Sequence, residues 1–301
     1  MTQVGTSIEQ ALTVLRAGGL VAIPTETVYG LAADASNEAA VRRIFGAKGR
    51  PADHPLIVHI ADTSSLGEWA AEIPPAAAHL AATCWPGPLT LLVPRGPKVL
   101  DVVTGGRPTV GLRVPAHPLT TFLLQQFGGG LAAPSANRFG KVSPTTAAHV
   151  VADLGDSVDY VLDGGACPVG VESTIVDCSV TPPQVLRPGG ISTEQVAELL
   201  NGDLAAASGP SRASGMLASH YAPAAPMLLV EHPDEAMAAI AAHPGATLID
   251  HTGDLVGYAQ QLYSQLRAAD LAGSPLIVAI LPPAQGLGHA IRDRLQKAAR
   301  R

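Results

Sequence analysis

Apolar residues near the start of the chain first recur at helical spacing and then form a short continuous run. Positions 8–15 carry an apolar residue every three to four places until a Gly-Gly pair, which predicts a helix that begins with a capping box at Thr6–Glu9. The apolar run 20–23 is followed by proline, which indicates a buried strand. This strand brings Thr25-Glu26-Thr27 to its carboxyl end, where α/β folds place ligands.

The same alternation of helical and strand-like patterns continues to about residue 201. Helices are predicted at 37–47, within 64–83, and at 118–127, 145–154 and 193–201. Strands are predicted at 56–60, 89–93, 109–114, up to Ala132-Ala133, and at 159–162, 173–177 and 184–187. Interleaved helices and strands are typical of the α/β class.

A segment without apolar periodicity follows. Residues 202–225 are rich in Ala, Ser, Gly and Pro, which indicates a linker or a long loop. Beyond it, strands at 227–230, 247–250 and 276–280 alternate with helices at 234–242, 254–271 and 286–300. These three β-then-α units predict a small parallel, Rossmann-like α/β domain. We therefore expect a first domain at 1–205, a linker or lid at 206–225 and a C-terminal domain at 226–301.

One glycine pair in this second part resembles a nucleotide-binding signature. Gly286-Leu287-Gly288 precedes the last predicted helix, as in a dinucleotide fingerprint. The third glycine and the following ribose-binding acid are missing. We interpret the pair as turn glycines.

Composition narrows the class of protein. Apolar residues make up 47% of the 301 positions and charged residues 15%, so the chain has ample material for a core. The formal net charge of -6 argues against nucleic-acid binding through the overall surface field. No export signal opens the chain and no apolar run is long enough to cross a bilayer. We expect a cytoplasmic protein without a membrane partner.

The cysteines indicate no metal centre. Cys84, Cys167 and Cys178 form no CxxC pair and have no ligand spacing with the histidines. We expect reduced thiols and no protein metal site.

The segment Lys48-Gly49-Arg50 carries two cations around a glycine directly after a predicted helix. A lysine point charge and a forked guanidinium can neutralise neighbouring phosphoryl oxygens, and glycine permits close backbone approach. A solvated charged turn is the alternative. The chain has no GxxxxGK[ST] loop, so an ATP site here is not a P-loop.

Two further segments supply small polar donors on loops. Ser135 and Asn137 follow a predicted strand, and Ser143-Pro144-Thr145 stands at a predicted helix start. They can bind phosphate or ribose oxygens without adding charge. A turn followed by an N-cap is the alternative for both segments.

Polar residues beside other predicted strands form a third set. It comprises Thr25–Gly30, His59, Arg113 and Gly170–Thr174. An arginine and a histidine can hold an amino-acid carboxylate, and hydroxyls can hold its amine and side chain. A satisfied buried histidine and a structural ion pair are the alternatives. Neither a catalytic triad order nor paired carboxylates point to hydrolysis.

Ten ordered motifs, taken together, are far more specific than any one of them. The motifs that occur in this order are PTETVYG, KGRP, PLIVHI, WPGPLT, VGLRVPAHP, APSAN, SPT, GVEST, LRPGG and SHYAP, and the match covers about residues 7–222. The chain thereby resembles the long, two-domain form of the threonylcarbamoyl-AMP synthase family. The resemblance implies a YrdC-like twisted mixed sheet with flanking helices in the first domain.

The resemblance also implies site residues. Lys48 and Arg50 are the implied catalytic cations. Implied ATP contacts are Lys48, Arg50, His54, Thr109, Ser135, Asn137, Ser143, Arg187 and Tyr221. Implied threonine contacts are Thr27, His59, Arg113, the backbone at Ala133, and Ser173. His54 departs from the asparagine common at its position in the family.

The implied reaction joins L-threonine, bicarbonate or CO2, and ATP, with Mg2+, into threonylcarbamoyl-AMP and pyrophosphate. The product would serve the tRNA threonylcarbamoyl-transferase machinery, and no direct tRNA binding is required. We further expect residues 208–223 to act as a lid, because glycines there flank the pair His220-Tyr221.

Two rival interpretations stay open at this point. A double-stranded RNA-binding module would use the concave basic surface of a YrdC-like domain. A carbamoyl-phosphate enzyme similar to hydrogenase maturation proteins would carry zinc-binding cysteine pairs, which this chain lacks.

Overall fold

The computed structural model describes residues 2–202, 204–208, 213, 215 and 220–300. Its larger sheet has ten strands in the spatial order β1-β8-β2-β3-β7-β4-β6-β5-β9-β10. They are β1 (Gln3–Gly5), β2 (Val21–Ile23), β3 (Gly30–Asp34), β4 (Ile57–His59), β5 (Leu89–Pro94), β6 (Thr109–Arg113), β7 (Leu131–Ala132), β8 (Tyr160–Leu162), β9 (Thr174–Asp177) and β10 (Gln184–Arg187). The sheet contains both parallel pairs, such as β4 with β6, and antiparallel pairs, such as β5 with β6, which confirms the predicted mixed sheet.

Eight helices flank this sheet in the described part of the first 200 residues. They are α1 (Ile8–Arg16), α2 (Glu38–Lys48), α3 (Leu66–Trp69), α4 (Pro75–Cys84), α5 (Asp101–Thr104), α6 (Pro118–Phe127), α7 (Ala147–Leu154) and α8 (Thr193–Leu199). Short 3-10 turns lie at Thr63–Ser65 and Gly155–Ser157. The apolar faces of these elements form the main core on the sheet, as expected for amphipathic helices on a sheet.

The ends of α2 decide where its cations stand. The side chain of Asn37 accepts a hydrogen bond from the Ala40 N–H at the first turn, and Gly49 ends the helix with φ 62°. Glycine tolerates this left-handed backbone without a Cβ penalty. The last helical residue is therefore Lys48, and Arg50 lies just beyond the helix.

Two details of the predicted first element differ in the structure. The N-cap of α1 is Ser7, whose side chain accepts from the Gln10 N–H, so the predicted capping box at Thr6–Glu9 is wrong by one residue. β1 adds an unpredicted edge strand next to β8. Three residues give too short a pattern for a strand prediction.

The C-terminal part forms a second sheet. β11 (Met227–Val230), β12 (Thr247–Ile249) and β13 (Ile277–Ile280) are parallel in the order β11-β13-β12, with α9 (Pro233–Ala242), α10 (Leu255–Leu271) and α11 (Leu287–Ala299). This confirms the small parallel α/β domain. The predicted linker lies between the two sheets, and residues 203, 209–212, 214 and 216–219 of that region are outside the described residues.

The glycines before α11 serve a turn. A Cβ on Gly288 would lie 1.9 Å from the Pro283 carbonyl oxygen, so only glycine fits there. The Gly286 N–H donates to Oε1 of Glu194 at 3.2 Å, and His289 lies 3.0 Å from the same oxygen. A carboxylate of α8 thus occupies the N-terminus of α11, which favours anions.

The two parts share a buried apolar cluster. Val28, Val142 and Val171 of the first part pack with Tyr258 and Tyr263 of α10. Burial of such surface is the dominant favourable contribution to association. None of the helices in the described residues is both long and apolar enough to cross a membrane.

Candidate active site

A cleft of about 560 Å³, counting the space that is open to solvent, lies against the larger sheet. It is lined by Thr25, Thr27, Val28, Gly30, Arg50, Ile57, His59, Arg113, Ala133, Pro134, Ser135, Glu172, Ser173, Arg187, Gly215, His220 and Tyr221. Nine of the fourteen predicted site residues are among them. The third predicted set and both arginines of the predicted ATP site therefore meet in one place.

The cleft lies over a face of the sheet. Ile57 and His59 of β4 both line it, and alternate residues of a strand point to the same face. Arg113 is the register partner of His59 on the parallel neighbour β6. The sequence predicted a site at the carboxyl end of a strand. That description is incomplete, because the carboxyl ends of the strands in a mixed sheet do not all lie at one edge.

Arg113 is held by acceptors of the segment after β2. Its Nη2 donates to Oε1 of Glu26 at 2.7 Å and to Oγ1 of Thr27 at 2.9 Å. The other oxygen of Glu26 accepts from the Ala116 N–H at 3.0 Å, which fixes the carboxylate. Nη1 of Arg113 has no hydrogen-bond partner among the described residues, so it is available to a substrate carboxylate.

His59 contributes a neutral ring beside this guanidinium. Burial, and next the positive charge of Arg113, lower the pKa of His59 to about 3. A neutral imidazole offers one donor and one acceptor nitrogen. His59 can therefore bind polar substrate atoms without adding charge near Arg113.

Two other arginines bring positive charge into the cleft. Nη2 of Arg50 donates to the Pro55 carbonyl oxygen at 3.0 Å, and its guanidinium lies 5.6 Å from the centre of the Phe139 ring. Nε and Nη2 of Arg187 donate to the Ser173 carbonyl oxygen at 3.1 and 2.8 Å. The pKa of Arg50 is lowered to about 10, chiefly by burial and to a smaller extent by nearby Arg187, against an opposing contribution from Tyr221. Both side chains stay charged near neutral pH and would gain from an anion.

Lys48 lies under the loop that follows β7 and outside the cleft lining. Its Nζ donates to the carbonyl oxygens of Ser135, at 2.5 Å, and Asn137. Burial and nearby Arg50 lower the pKa of Lys48 well below its usual value. Oδ1 of Asn137 is buried and has no hydrogen-bond partner among the described residues. The pair holds the loop that presents Ser135 to the cleft.

The other predicted ATP contacts outside the lining are His54, Thr109 and Ser143. The His54 ring packs edge-on against Phe139 at 5.2 Å between ring centres. Oγ of Ser143 donates to the Glu172 carboxylate at 2.6 Å. Thr109 borders a small neighbouring cavity, which shares Ile57 with the cleft. These three residues surround the cleft without reaching its wall.

Tyr221 lines the cleft and has an unusual backbone conformation. Its φ is 63°, a region that costs a residue with a Cβ roughly 1–2 kcal/mol. The ring stacks on Tyr263 at 5.8 Å with an interplanar angle of 28°, and the guanidinium of Arg294 lies 5.1 Å from its centre. The predicted lid residue is therefore held by side chains of the C-terminal domain.

Several residues of the site were not predicted from the sequence. Glu26 and Glu172 lie inside motifs that were recognised, and an acid in an otherwise apolar or hydroxyl-rich motif is a usable signal. Phe139, Tyr263 and Arg294 give no such signal, because their contacts depend on how distant segments pack. The described residues contain no group of three or more His, Cys, Asp or Glu that could hold a metal ion.

Two family models match the chain. One, described as "Telomere recombination", covers residues 13–189. The other, described as "Threonylcarbamoyl-AMP synthase, C-terminal domain", covers residues 191–300 and so begins ahead of the predicted linker.

Relatives with this architecture are found in distant organisms. Threonylcarbamoyl-AMP synthase of Pyrococcus abyssi is 42% identical over 95% of this chain and 92% of its own length. The enzyme of the same name from Bacillus subtilis is 41% identical over 97% of this chain and 92% of its own length.

A solved structure agrees over nearly the whole chain. The crystal structure of P. abyssi Sua5 complexed with L-threonine matches with a TM-score of 0.92 and 38% sequence identity, over 99% of this chain and 97% of that one. The predicted fold and the predicted family are confirmed. This chain belongs to the threonylcarbamoyl-AMP synthase family.

Proposed function

We propose that this protein makes threonylcarbamoyl-AMP from L-threonine, bicarbonate or CO2, and ATP, with release of pyrophosphate. The observation that carries the proposal is that Arg113 lies in the same cleft as Arg50 and Arg187. The polar neighbours of Arg113 are Glu26 and Thr27. Family membership supports the same reaction. The buried cations suit two small substrates, one that carries a carboxylate and one that carries phosphates.

Threonine is proposed to bind beside β4 and β6. Nη1 of Arg113 and the neutral His59 would hold the carboxylate, while the hydroxyl of Thr27 accepts from Arg113 and faces the same space. Glu26 keeps the guanidinium oriented through a buried ion pair of 2.7 Å. This arrangement fixes the amine of the substrate relative to the phosphates.

ATP is proposed to place its phosphates between Arg50 and Arg187. The neighbouring cavity is lined mostly by Pro55, Leu56, Ile57, Leu92 and Ile175. We place no part of the nucleotide in it, because it has room for little more than a water molecule. Pro55 adjoins both spaces. Its carbonyl oxygen accepts a hydrogen bond from Arg50, and the residue also lines the neighbouring cavity.

The chemistry needs no covalent bond to the protein. The threonine amine attacks the carbon of bicarbonate, loses a proton and releases water, and this gives a carbamate. A carbamate oxygen then bonds to the α-phosphorus while the bond from that phosphorus to pyrophosphate breaks. Arg50 and Arg187 would stabilise the charge that moves onto pyrophosphate, and the fixed geometry lowers the entropic cost.

Mg2+ is proposed to arrive with the phosphates of ATP as part of the substrate. The product is a mixed anhydride, so it suits a consuming reaction that transfers the threonylcarbamoyl group to a nucleophile. We propose the tRNA threonylcarbamoyl-transferase machinery for that step.

The RNA-binding alternative gains no support from the site. Arg50, Arg113 and Arg187 are all at most 9% exposed. Duplex RNA presents its phosphates on the outside of a wide helix, so it could not reach these buried side chains.

Pyrophosphate release by the purified protein tests the proposal. Release with ATP and Mg2+ should require both threonine and bicarbonate. Release that is independent of threonine, or hydrolysis to ADP and phosphate alone, would contradict it.

A further inference from the structure

Arg294 of α11 is fully buried although it belongs to the C-terminal domain. Its Nε donates to the Glu172 carboxylate at 2.7 Å, and its Nη2 donates to the Pro188 carbonyl oxygen at 3.0 Å. Both acceptors belong to the catalytic domain. Nη1 binds Asp293 on the same helix.

Glu172 is the centre of a buried polar network. Its carboxylate also accepts from Ser143, at 2.6 Å, and from the hydroxyl of Tyr263, at 2.9 Å. Burial alone would raise the pKa of Glu172, but Arg294 and then Arg187 hold it down at about 2. The carboxylate is ionised at neutral pH, and its charge-assisted bonds fix the loop that carries Ser173.

The same guanidinium supports two parts of the nucleotide side of the cleft. Pro188 follows Arg187 directly, so a bond to its carbonyl fixes the backbone beside that arginine. The plane of Arg294 also lies 5.1 Å from the centre of the Tyr221 ring. Three of its contacts thus end at groups that line the cleft or adjoin its lining.

Other contacts of α11 reach the same linker. Nζ of Lys297 donates to the Gly215 carbonyl oxygen at 2.7 Å, and the His220 N–H donates to the Lys297 carbonyl oxygen at 3.3 Å. Gly215 and His220 both line the cleft. These bonds therefore tie α11 to the wall of the cleft.

We propose that Arg294 is a positioning residue for the nucleotide, through which the C-terminal domain sets the geometry of Arg187 and Tyr221. The proposal rests on the proposed function, because it takes the Arg50–Arg187 side of the cleft as the phosphate site. Arg294 touches neither substrate. It acts through Glu172, Pro188 and Tyr221.

Arg294→Lys separates this role from simple charge balance. Lysine keeps a positive charge for Glu172, but it lacks the fork that reaches Pro188 and the plane that lies on Tyr221. We expect the dissociation constant for ATP, measured by titration calorimetry, to rise at least about tenfold, which corresponds to roughly 1.4 kcal/mol. The constant for threonine should change less than threefold, because Arg113 is fixed within the catalytic domain.

Two control variants separate positioning from general damage. Arg292→Lys makes the same exchange two residues away, where the guanidinium pairs with Glu231 at 2.6 Å inside the C-terminal domain. Asp153→Asn weakens another interdomain pair, with Arg267 at 2.7 Å. Both should bind ATP as the unchanged protein does.

A second variant protects the test against misfolding. Arg294→Met with Glu172→Gln removes both charges of the buried pair, and Asp293 keeps its pair with Lys297 at 2.8 Å. This avoids an unpaired buried charge at either position, which is the main danger of single changes in buried pairs. Compared with Glu172→Gln alone, it should still bind ATP at least about fivefold more weakly. Folding is checked by the melting temperature.

The outcomes decide the proposal. ATP binding within twofold of the reference in a folded Arg294→Lys or double variant would overturn it, and so would equal weakening of ATP and threonine. Direct binding also keeps the two proposals apart. An unchanged protein that binds ATP but releases no pyrophosphate contradicts the proposed function alone.

Discussion

Lys48 and Arg50 show how two neighbouring cations take different roles. Lys48 ends α2 and is only 2% exposed, with its amine bound to loop carbonyls. Arg50 follows Gly49, whose backbone is left-handed, and lines the cleft. The helix end thus places one cation under the Ser135–Asn137 loop and the other where phosphates would bind.

Replacing Arg50 should weaken catalysis directly. We expect Arg50→Ala to lower kcat/KM for ATP at least about tenfold, equivalent to roughly 1.4 kcal/mol of transition-state stabilisation. A guanidinium on phosphate is hard to replace by water. The measurement is the initial rate of pyrophosphate release.

Arg42→Ala is the matched control for this change. Arg42 lies on the same helix and forms an exposed pair with Glu38, a type of contact worth little. Its rate should stay within twofold of the reference. Equal rates for both variants would remove Arg50 from the site.

At the residue scale, the sequence indicated which residues lie near the cleft better than it indicated what their side chains contact. The structure brings Arg113, His59 and Thr27 together in one cleft, and each lies in a motif beside a predicted strand. Lys48 is bound under a loop and Thr109 borders the neighbouring cavity, since side-chain direction depends on helix ends and strand faces that a motif does not specify.

At the scale of the elements, the end of the linker has an unusual backbone conformation that packing holds in place. The backbone of Tyr221 is left-handed, and the Ala222 N–H donates to the Gly140 carbonyl oxygen at 2.9 Å. The ring is fixed between Tyr263 and Arg294. Packing therefore compensates for a backbone that tyrosine rarely adopts.

Removing this ring should open the nucleotide side. We expect Tyr221→Ala to raise the KM for ATP at least about tenfold, because the cleft loses its cover and Arg187 loses a neighbour. Tyr221→Phe keeps the ring and should stay within threefold. Steady-state kinetics with varied ATP checks both, and an unchanged Tyr221→Ala protein would contradict a closing role.

Element prediction succeeded where the pattern was long. α10 and α11 have sustained apolar periodicity, and both were placed within a few residues. β3 was missed because Gly-Leu-Ala-Ala-Asp contains no β-branched residue, and alanine and glycine are poor strand formers. Its pairing with β2 and β7 is what holds it in the sheet.

At the scale of the whole molecule, burial keeps several titratable side chains in their neutral form. His59 and His220 both have a pKa lowered to about 3, chiefly by burial. Between the ordinary value of 6.5 and this value, the unfolded chain binds protons that the folded chain does not. The free energy of unfolding must therefore fall as pH decreases through this window.

His59→Gln should reduce this acid sensitivity. Between pH 7 and pH 5, one histidine that stays neutral in the folded state lowers the free energy of unfolding by about 2 kcal/mol. The reason is that pH 5 lies roughly 1.5 pKa units below the ordinary value for histidine. The loss of unfolding free energy between these pH values should shrink by about that amount, measured by chemical denaturation. Glu172 does not interfere, since its contribution is lost only below pH 4.5.

His79→Gln is the control, because His79 lies exposed on α4. It should show the same loss between pH 7 and pH 5 as the unchanged protein. An identical loss in His59→Gln would mean that His59 is not held neutral in the folded state.

The joint between the domains could not be predicted from the sequence. Arg294 lies among other charged residues of a helix, and nothing in that pattern distinguishes a buried arginine from an exposed one. Its burial follows from contacts with Glu172 and Pro188, more than a hundred residues earlier. Long-range ion pairs of this kind need the structure.

The most direct test of the account is mass-spectrometric identification of the product formed with ATP, Mg2+, 15N-labelled threonine and 13C-labelled bicarbonate. The account predicts an adenylate that carries both labels. An adenylate with the threonine label but no bicarbonate carbon would show direct amino-acid activation and would contradict the proposed reaction.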